Sequence, residues 1–269
     1  MTHKAKKSLG QHFLRSTSAV RAIVSGGQVA PEDTVLEIGP GEGVLTRALL
    51  DTGAHVIAVE KDTDLIPILQ QTFSSEIASK QFELLHDDAL TFNPSSKKLR
   101  AGEYKLVANI PYYITGALFE KFLTEKNHPS VLVFLIQKEV ATRIVARDKK
   151  ESILSISVKA FGSPKLTTKV PASAFKPAPK VDSAVLVVND ITRERFAGWN
   201  ISEEKAIEHF FKIVRAGFAH KRKLLIRNLE EVASKEKIAR AFDVLKLSEK
   251  TRAEDLAPAI WFSLAQALL

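Results

Sequence analysis

The sequence carries the glycine-rich stretch Leu36-Glu37-Ile38-Gly39-Pro40-Gly41-Glu42-Gly43 between a β-rich apolar run and a run with helical periodicity. Glycines permit a tight turn and let a ligand approach the backbone, and a helix start offers free N–H groups. A dinucleotide fingerprint has its third glycine one position later, where Val44 stands. Pro40 also removes a backbone donor that a pyrophosphate would use. The stretch therefore predicts a ligand-binding loop, but not one for NAD.

Acidic residues flank this loop. Glu37 and Glu42 would repel a phosphate but suit a ligand that carries an amino group and a sulfonium. Glu60 ends the next β-rich run, where a carboxylate can accept hydrogen bonds from both hydroxyl groups of a ribose. A glycine-rich turn beside a solvated acid is the alternative for each feature taken singly. The glycines, Glu60 and the order of the strands together predict a cofactor site.

The third β-rich run ends at Asp87 and Asp88. One of these carboxylates can accept the exocyclic amine of an adenine ring, while the Ala89 N–H donates to a ring nitrogen. The alternative is a helix N-cap, and the two roles need different acids. The pair alone does not decide between them.

Strand-like and helix-like patterns alternate from about residue 17 to residue 146 and predict an α/β fold with a parallel sheet. The predicted strands are 34–38, 55–59, 82–86, 104–108 and 130–136, and the predicted helices are 43–51, 64–73, 114–123 and 138–146. Two further β-rich runs, 153–160 and 183–189, have no long helix between them, so we expect an antiparallel pair at one edge. Seven strands with a late reversed one favour a Rossmann-like, methyltransferase-type sheet over a six-stranded dinucleotide fold.

After about residue 190 the patterns are helical only, at 203–215, 221–229, 235–242 and 253–268. We therefore predict two domains. The first, 1–190, is the α/β domain and begins with a basic segment at 1–15. The second, 191–269, is a small all-helical domain.

The net charge of +8 is concentrated at the two ends of the chain. Residues 1–15 contain Lys4, Lys6, Lys7 and Arg15 and no acid, and residues 191–269 have a similar excess of basic residues, while the middle is neutral. Basic ends around a neutral middle predict a polyanion held by the ends over a central site. The alternative is a solvated basic surface with a basic tail.

The sequence contains no cysteine, which excludes a disulfide framework, a thiolate nucleophile and a cysteine-based zinc site. No apolar run reaches the roughly 18 residues of a membrane span, and the basic start lacks the apolar region of a signal peptide. We expect a cytoplasmic protein that uses no metal, does not associate with membranes and acts as a monomer.

The fourth predicted strand is followed by Asn109-Ile110-Pro111-Tyr112, at the strand end where open parallel sheets place their chemistry. The lone pair of an adenine amino group is delocalised into the ring. Hydrogen bonds from both of its N–H groups, to the Asn109 side-chain oxygen and the Ile110 carbonyl, would favour a pyramidal, nucleophilic nitrogen. Pro111 stiffens the turn, and Tyr112 offers a flat face for a base. The alternative is an ordinary Asx-Pro turn with a surface tyrosine.

Five segments resemble the small-subunit ribosomal RNA adenine dimethyltransferases. They are KSLGQHFL (7–14), LEIGPGEG (36–43), NIPY (109–112), VPASAFKPAPKVDSAV (170–185) and FAHKRKLLIRNL (218–229). The resemblance implies dimethylation of the N6 amino groups of two adjacent adenosines near the 3′ end of 16S RNA, with S-adenosyl-L-methionine as methyl donor and a role in small-subunit biogenesis. The 16S RNA, within the small ribosomal subunit or its precursor, is the implied partner.

The resemblance also implies residue roles. His12 and Leu14 would line the cofactor pocket, and Gly39 and Gly41 would pass under the methionine part of the cofactor. Glu60 would hold the ribose and Asp88, with Ala89, the adenine.

The same resemblance assigns the chemistry. Asn109 would touch both the cofactor and the target amine, and Tyr112 and Phe175 would sandwich a base flipped out of its stack. A buried aromatic between prolines is the alternative for Phe175. The family more often has Asn-Leu-Pro-Tyr at the tetrapeptide, and asparagine is also common where His12 stands, so His12 is interpreted as a pocket wall.

A basic helix over 220–227 would contact phosphates through Lys221, Arg222, Lys223 and Arg227, alongside Lys4, Lys6 and Lys7 at the N-terminus. Its alternative is a solvated helix face. Three other functions compete: dimethylation of 23S RNA by the related macrolide-resistance family, a non-catalytic assembly or transcription factor on the same fold, and an NAD dehydrogenase. The segment 221–228 favours the small-subunit family over the macrolide-resistance family. The intact set Gly39, Gly41, Glu60 and Asn109 argues against a non-catalytic factor, and the glycine spacing argues against an NAD dehydrogenase.

Overall fold

The computed structural model describes residues 5–6, 9–146, 149–220 and 222–269. Its strands are β1 (Phe13–Leu14), β2 (Thr34–Ile38), β3 (His55–Glu60), β4 (Phe82–His86), β5 (Lys105–Asn109), β6 (Val131–Gln137), β7 (Ser163–Val170), β8 (Phe175–Lys176) and β9 (Ser183–Asn189). Its helices are α1 (Thr17–Gly26), α2 (Val44–Leu50), α3 (Ile66–Thr72), α4 (Ser74–Ala78), α5 (Thr115–Thr124), α6 (Lys138–Ile144), α7 (Ile153–Phe161), α8 (Glu203–Gly217), α9 (Leu225–Leu229), α10 (Lys235–Val244) and α11 (Pro258–Ala267).

Seven strands form one sheet in the order β4-β3-β2-β5-β6-β9-β7. The first five in this order are parallel, and β9 is antiparallel to both of its neighbours. The predicted α/β class, with a seven-stranded, mostly parallel sheet, is therefore confirmed. Because β3 and β5 flank β2, the loops that follow these three strands meet at one edge of the sheet.

The prediction of a strand at 153–160 is wrong, because this segment is helix α7. Its β-branched residues suggested a strand, but the helix begins with a capping box. The Ser152 hydroxyl accepts a hydrogen bond from the Ser155 N–H at 3.2 Å, and the Ser155 hydroxyl accepts one from the Ser152 N–H at 2.6 Å. This reciprocal pair satisfies two backbone donors at the helix start.

The antiparallel edge that the sequence predicts is present, but β7 is its last strand. Its sequence, Ser-Pro-Lys-Leu-Thr-Thr-Lys-Val, has few apolar residues, and exposed positions alternate with half-buried ones along it. Edge strands commonly carry proline and lysine, which discourage pairing with another chain. The strand therefore lacks the apolar run by which its inner neighbours were recognised.

The C-terminal helices differ from the sequence prediction at two places. Helix α9 begins only at Leu225, so the predicted basic helix over 220–227 is wrong: Arg222 and Lys223 lie in a turn before it. The predicted helix 253–268 is divided into a short 3-10 turn, Ala253–Asp255, and α11, which begins at Pro258. Proline suits the first helical position because its missing N–H has no helical partner there.

Contacts between described residues divide the chain into two units: Met1–Ala141 with Ser163–Ile191, and Thr142–Gly162 with Thr192–Leu269. The first contains the sheet, and the second contains α7 to α11. The sequence placed all of 1–190 in one domain, whereas the contacts move the segment around α7 to the helical unit. Within the described part of the chain, no helix is long and apolar enough to cross a membrane.

The helical unit has an aromatic core around Trp261, which is completely buried. Gly217, the last residue of α8, lies against this ring, and a Cβ atom there would lie 2.9 Å from both Trp261 Cζ3 and Leu225 Cδ1. Contacts this close in a packed core force the neighbours to move.

We expect Gly217→Ala to lower the free energy of unfolding by about 2 kcal/mol, since overpacking a filled core costs roughly 1–3 kcal/mol. Denaturant unfolding of the purified variant measures the change. Gly116→Ala is the matched control, because Gly116 is in α5 with nothing within 4 Å of an added Cβ. The control should be as stable as the wild type or more so. Equal stability of the Gly217 variant would contradict this description of the core.

Candidate active site

One pocket opens at the carboxyl ends of β2, β3, β4 and β5. Every residue predicted to bind the cofactor or to act in catalysis lies on it: His12, Leu14, Gly39, Gly41, Glu60, Asp88, Ala89, Asn109, Ile110, Pro111, Tyr112 and Phe175. Residues without a predicted role also line it, among them Gln11, Lys61 and Tyr113. The topology thus brings together residues from six separate parts of the sequence.

The glycine loop needs glycine at two positions, in each case because φ is positive and an aromatic ring blocks a Cβ atom. Gly41 has a φ of +57°, and a Cβ there would lie 3.1 Å from the Phe13 ring. Gly43 has a φ of +82° and precedes α2, and a Cβ there would lie 2.5 Å from the Phe73 ring. Other residues would be strained in this left-handed conformation. The loop therefore packs closely against these two rings, and a larger residue at either position would disturb both the turn and the packing.

Glu60 is almost completely buried, with 6% of its surface exposed. Its Oε1 accepts a hydrogen bond from the Asp62 N–H at 2.7 Å, and its Oε2 accepts one from the Gly41 N–H at 3.2 Å. Burial raises the pKa of Glu60, while these backbone hydrogen bonds oppose the rise. Each carboxylate oxygen has a second lone pair with which to accept a hydroxyl group. The side chain is thus held in one orientation at the pocket.

Asp88 makes two contacts in the loop after β4. Its Oδ2 pairs with Lys61 Nζ at 2.7 Å, and its Oδ1 accepts a hydrogen bond from the Leu90 N–H at 3.0 Å. The hydrogen bond from Lys61 is the main reason that the pKa of Asp88 is lowered. No helix begins at Asp88, so the helix N-cap alternative does not describe it, and its Oδ1 instead closes a turn. The adenine-binding role of Asp88 and Ala89 stays a prediction that rests on their place in the pocket.

Glu37 does not line the pocket, contrary to the interpretation of its charge as a ligand contact. Only 1% of its surface is exposed. Its Oε2 accepts a hydrogen bond from the Thr46 hydroxyl at 2.7 Å, while Oε1 has no partner among the described residues. Burial raises the pKa of Glu37 to about 8. The other flanking acid, Glu42, pairs with Arg15.

Glu37→Gln is expected to stabilise the protein above neutral pH. The folded state holds a proton on Glu37 that the unfolded chain releases near pH 4.5, so the stability that this proton confers is lost as pH rises through about 8. Between pH 6 and pH 8.5 the variant should gain about 2 kcal/mol relative to the wild type. Thermal unfolding at both pH values measures this gain. The exposed Glu32→Gln is the control, and an equal stability difference at both pH values would argue against a protonated Glu37.

The tetrapeptide is held from two sides. Asn109 ends β5, and its Nδ2 donates a hydrogen bond to the His12 carbonyl at 3.2 Å, which leaves the amide oxygen as the acceptor of the side chain. The Tyr112 hydroxyl lies 2.7 Å from the hydroxyl of Ser183, which is completely buried. Ser183 has no predicted role, although it lies within the segment 170–185 that resembles the family. These contacts fix the directions of an acceptor and an aromatic ring at the same strand end.

The N-terminal segment carries one more ring to this site. The His12 ring stacks on Tyr112 with centroids 6.0 Å apart, and His12 Nδ1 lies 2.7 Å from the Pro177 carbonyl. Phe175 begins β8, which pairs with β1 through the register of Leu14 with Phe175. Phe175 lies on the pocket but is 95% buried. A base held between Tyr112 and Phe175 therefore remains a prediction.

The predicted RNA contacts divide into three groups. Lys4, Lys7 and Lys221 lie outside the described residues. Arg222 and Lys223 are exposed, and the exposed Arg227 pairs with Glu230 at 2.9 Å. Lys6 instead forms ion pairs with Asp62 at 2.5 Å and Asp64 at 2.7 Å. Among the described residues, no group of three or more histidine, aspartate or glutamate side chains is arranged to hold a metal ion.

A family model described as ribosomal RNA adenine dimethylase matches residues 2–268. The chain belongs to this family. A Ribosomal RNA small subunit methyltransferase A from Dehalococcoides mccartyi is 40% identical over 264 residues, which cover 97% of this chain and 87% of that protein. One of the same name from a Nostoc species is 36% identical and covers 98% of both chains. The protein is therefore a ribosomal RNA adenine methyltransferase of this family.

Solved structures show the same fold along nearly the whole chain. A dimethyladenosine transferase from Plasmodium falciparum superimposes with a TM-score of 0.77 at 25% identity, over 94% of this chain and 96% of that one. The 23S rRNA methyltransferase ErmE superimposes with a TM-score of 0.72 at 26% identity, over 95% of this chain and 99% of that one. A 23S rRNA methyltransferase shares this fold, so the fold alone does not show which ribosomal RNA this chain methylates.

Proposed function

We propose that this protein dimethylates the N6 amino groups of two adjacent adenosines near the 3′ end of 16S ribosomal RNA, with S-adenosyl-L-methionine as methyl donor, during biogenesis of the small ribosomal subunit. The observation that carries the proposal is the shared pocket of Asn109, Tyr112, the glycine loop and Glu60. The names of the relatives from Dehalococcoides mccartyi and Nostoc support the small subunit as the target. We further propose that the protein acts as a monomer in the cytoplasm.

The residues of the pocket fit S-adenosylmethionine. Glu60 is a buried carboxylate whose two oxygens are both oriented by backbone N–H groups, as a ribose diol requires. Gly39 and Gly41 line the pocket where the methionine part would lie, and Asp88 and Ala89 line it for the adenine ring. The cofactor supplies an electrophilic methyl group on a sulfonium.

Asn109 and Ile110 would prepare the target nitrogen. The Asn109 amide oxygen and the Ile110 carbonyl accept hydrogen bonds from the two N–H groups of N6, which directs the nitrogen lone pair out of the plane of the ring. The nitrogen becomes acidic once it is methylated, so no strong general base is needed. Catalysis then rests on in-line positioning and on exclusion of water from the sulfonium.

Tyr112 would hold the base by its ring face, which is worth roughly 1–3 kcal/mol per base. Its hydroxyl contact with Ser183 keeps that ring in place. A stacked adenine hides its amino group, so the target base must leave the helix to reach the pocket. Arg222, Lys223 and Arg227 would contact phosphates and add sequence-independent affinity.

Methylation of 23S RNA is the competing function, favoured by the match to ErmE. Purified protein with labelled S-adenosylmethionine should methylate small-subunit particles from a strain that lacks the modification. Large-subunit particles from the same strain are the matched control. Label in 23S RNA alone would favour the competing function, and tight RNA binding without label in either would favour an assembly factor.

A further inference from the structure

Asp62 is a buried carboxylate two residues after Glu60, with 1% of its surface exposed. Its Oδ1 accepts hydrogen bonds from Lys6 Nζ at 2.5 Å and from the Asp64 N–H at 3.1 Å. Its Oδ2 accepts one from Gln11 Nε2 at 2.6 Å. Two side chains from the N-terminal segment thus converge on one buried acid more than fifty positions away in sequence.

The same residue is bonded to the predicted ribose-binding acid. The Asp62 N–H donates to Glu60 Oε1 at 2.7 Å, and Glu60 Oε2 accepts from the Gly41 N–H. A continuous path of hydrogen bonds therefore runs from Lys6 and Gln11 to the glycine loop.

The N-terminal segment that Asp62 holds is also a wall of the pocket, since residues 9–14 all line it. Within the segment, the Lys6 N–H donates a hydrogen bond to Gln11 Oε1 at 2.7 Å. Further along, the His12 carbonyl accepts from Asn109, and Phe13 packs on Gly41. Any movement of this segment would therefore disturb both Asn109 and the glycine loop.

We propose that Asp62 is a positioning residue that anchors the N-terminal segment, through Lys6 and Gln11, as a wall of the cofactor site. Lys6 then serves cofactor binding and is not an RNA contact. The inference rests on the proposed function only in taking S-adenosylmethionine as the ligand. It gives a role to a buried acid that the mechanism does not otherwise use.

The charge of Asp62 makes the anchor specific. Burial alone would raise the pKa of Asp62, but the hydrogen bonds from Lys6, Gln11 and the Asp64 N–H hold it below its usual value. The carboxyl group is therefore ionised, and a variant without the Lys6 charge leaves a buried carboxylate with fewer partners. Such a carboxylate is strongly unfavourable and would displace the segment.

The test compares Lys6→Gln, Lys6→Arg and Asp62→Asn. Lys6→Gln should raise the Kd for S-adenosylmethionine, measured by calorimetry without RNA, by about tenfold. Its KM for the cofactor should rise in parallel, while kcat at saturating cofactor changes much less. Lys6→Arg should restore most of the affinity because it keeps the charge. The Kd of the double variant Lys6→Gln/Asp62→Asn for S-adenosylmethionine should be no higher than the higher of the two single-variant values, since the two changes remove one interaction.

The salt dependence of RNA binding separates the anchor from a phosphate contact. Removing a phosphate contact reduces the slope of log affinity against log salt by about 1. Lys6→Gln should leave this slope unchanged, whereas the control Lys223→Gln should reduce it and leave the Kd for the cofactor unchanged.

An unchanged cofactor Kd in Lys6→Gln, or a reduced salt slope in that variant, would overturn the proposal. Lys6 is partly exposed, so its variants are expected to fold, and circular dichroism checks each one. Because the cofactor is titrated without RNA, the result can be interpreted even if the proposed RNA specificity is wrong.

Discussion

Asn109→Ala should lower kcat for methyl transfer by about 100-fold, the size of effect expected when a reacting group loses its alignment. The variant removes the amide oxygen that would accept a hydrogen bond from N6. It also removes the hydrogen bond from Nδ2 to the His12 carbonyl, which ties β5 to the N-terminal segment. RNA affinity should stay near the wild-type value, because phosphate contacts elsewhere supply most of it.

Single-turnover kinetics with saturating cofactor and RNA measure this effect separately from binding. Asn127→Ala is the matched control, because the Asn127 side chain donates to Ser95 Oγ at 2.7 Å and does not line the pocket. The control should retain full kcat. Full activity in Asn109→Ala would refute the role that we give to this side chain.

Glu60→Gln should weaken S-adenosylmethionine binding by roughly 30-fold, since hydrogen bonds to a charged group are worth about 1.5–3 kcal/mol each. Glutamine keeps the shape but offers one acceptor oxygen in place of two. Because the ionised carboxylate is the form that accepts both ribose hydroxyl groups, cofactor affinity should fall as pH falls and Glu60 takes up a proton. Burial raises the pKa of Glu60, so this fall should begin at a higher pH than it would for an exposed glutamate.

Calorimetric titration of the cofactor over a series of pH values tests this prediction. The affinity of Glu60→Gln should be low and should lose the part of the pH dependence that comes from Glu60. Glu83→Gln, at an acid of β4 that pairs with Lys97, serves as the control and should behave as the wild type. Wild-type affinity in Glu60→Gln would contradict the assignment of the ribose to this residue.

The central strands of the sheet were predictable because each is buried on both faces. Strands of this kind read as continuous apolar runs, as β6 does with Val-Leu-Val-Phe-Leu-Ile-Gln. The edge strand β7 lacks such a run because solvent covers one side of it. The β-branched residues of α7 favour a strand, whereas the Ser152 cap favours the helix that forms. Both errors arise where the local sequence pattern does not reflect burial.

The pocket residues were predictable where they stand at the end of a strand, as Glu60 and Asn109 do, and Asn109 also falls within a familiar motif. Contacts between distant segments were not. Ser183 contacts Tyr112, which is 71 positions away in the sequence, and Lys6 contacts Asp62, which is 56 positions away. A single sequence gives no sign of such pairs, since only the fold brings them together. The charge of Lys6 alone therefore predicts an RNA contact.

Nucleoside mass spectrometry of the reacted RNA identifies the methylated base and the number of methyl groups that it carries. Small-subunit particles that lack the modification are incubated with the protein and S-adenosylmethionine, and the 3′-terminal fragment of 16S RNA is isolated and digested. We predict two N6,N6-dimethyladenosines per fragment, with Asn109→Ala giving far less at the same time point. Methyl groups on another base, or monomethyladenosine alone after prolonged reaction, would contradict the account.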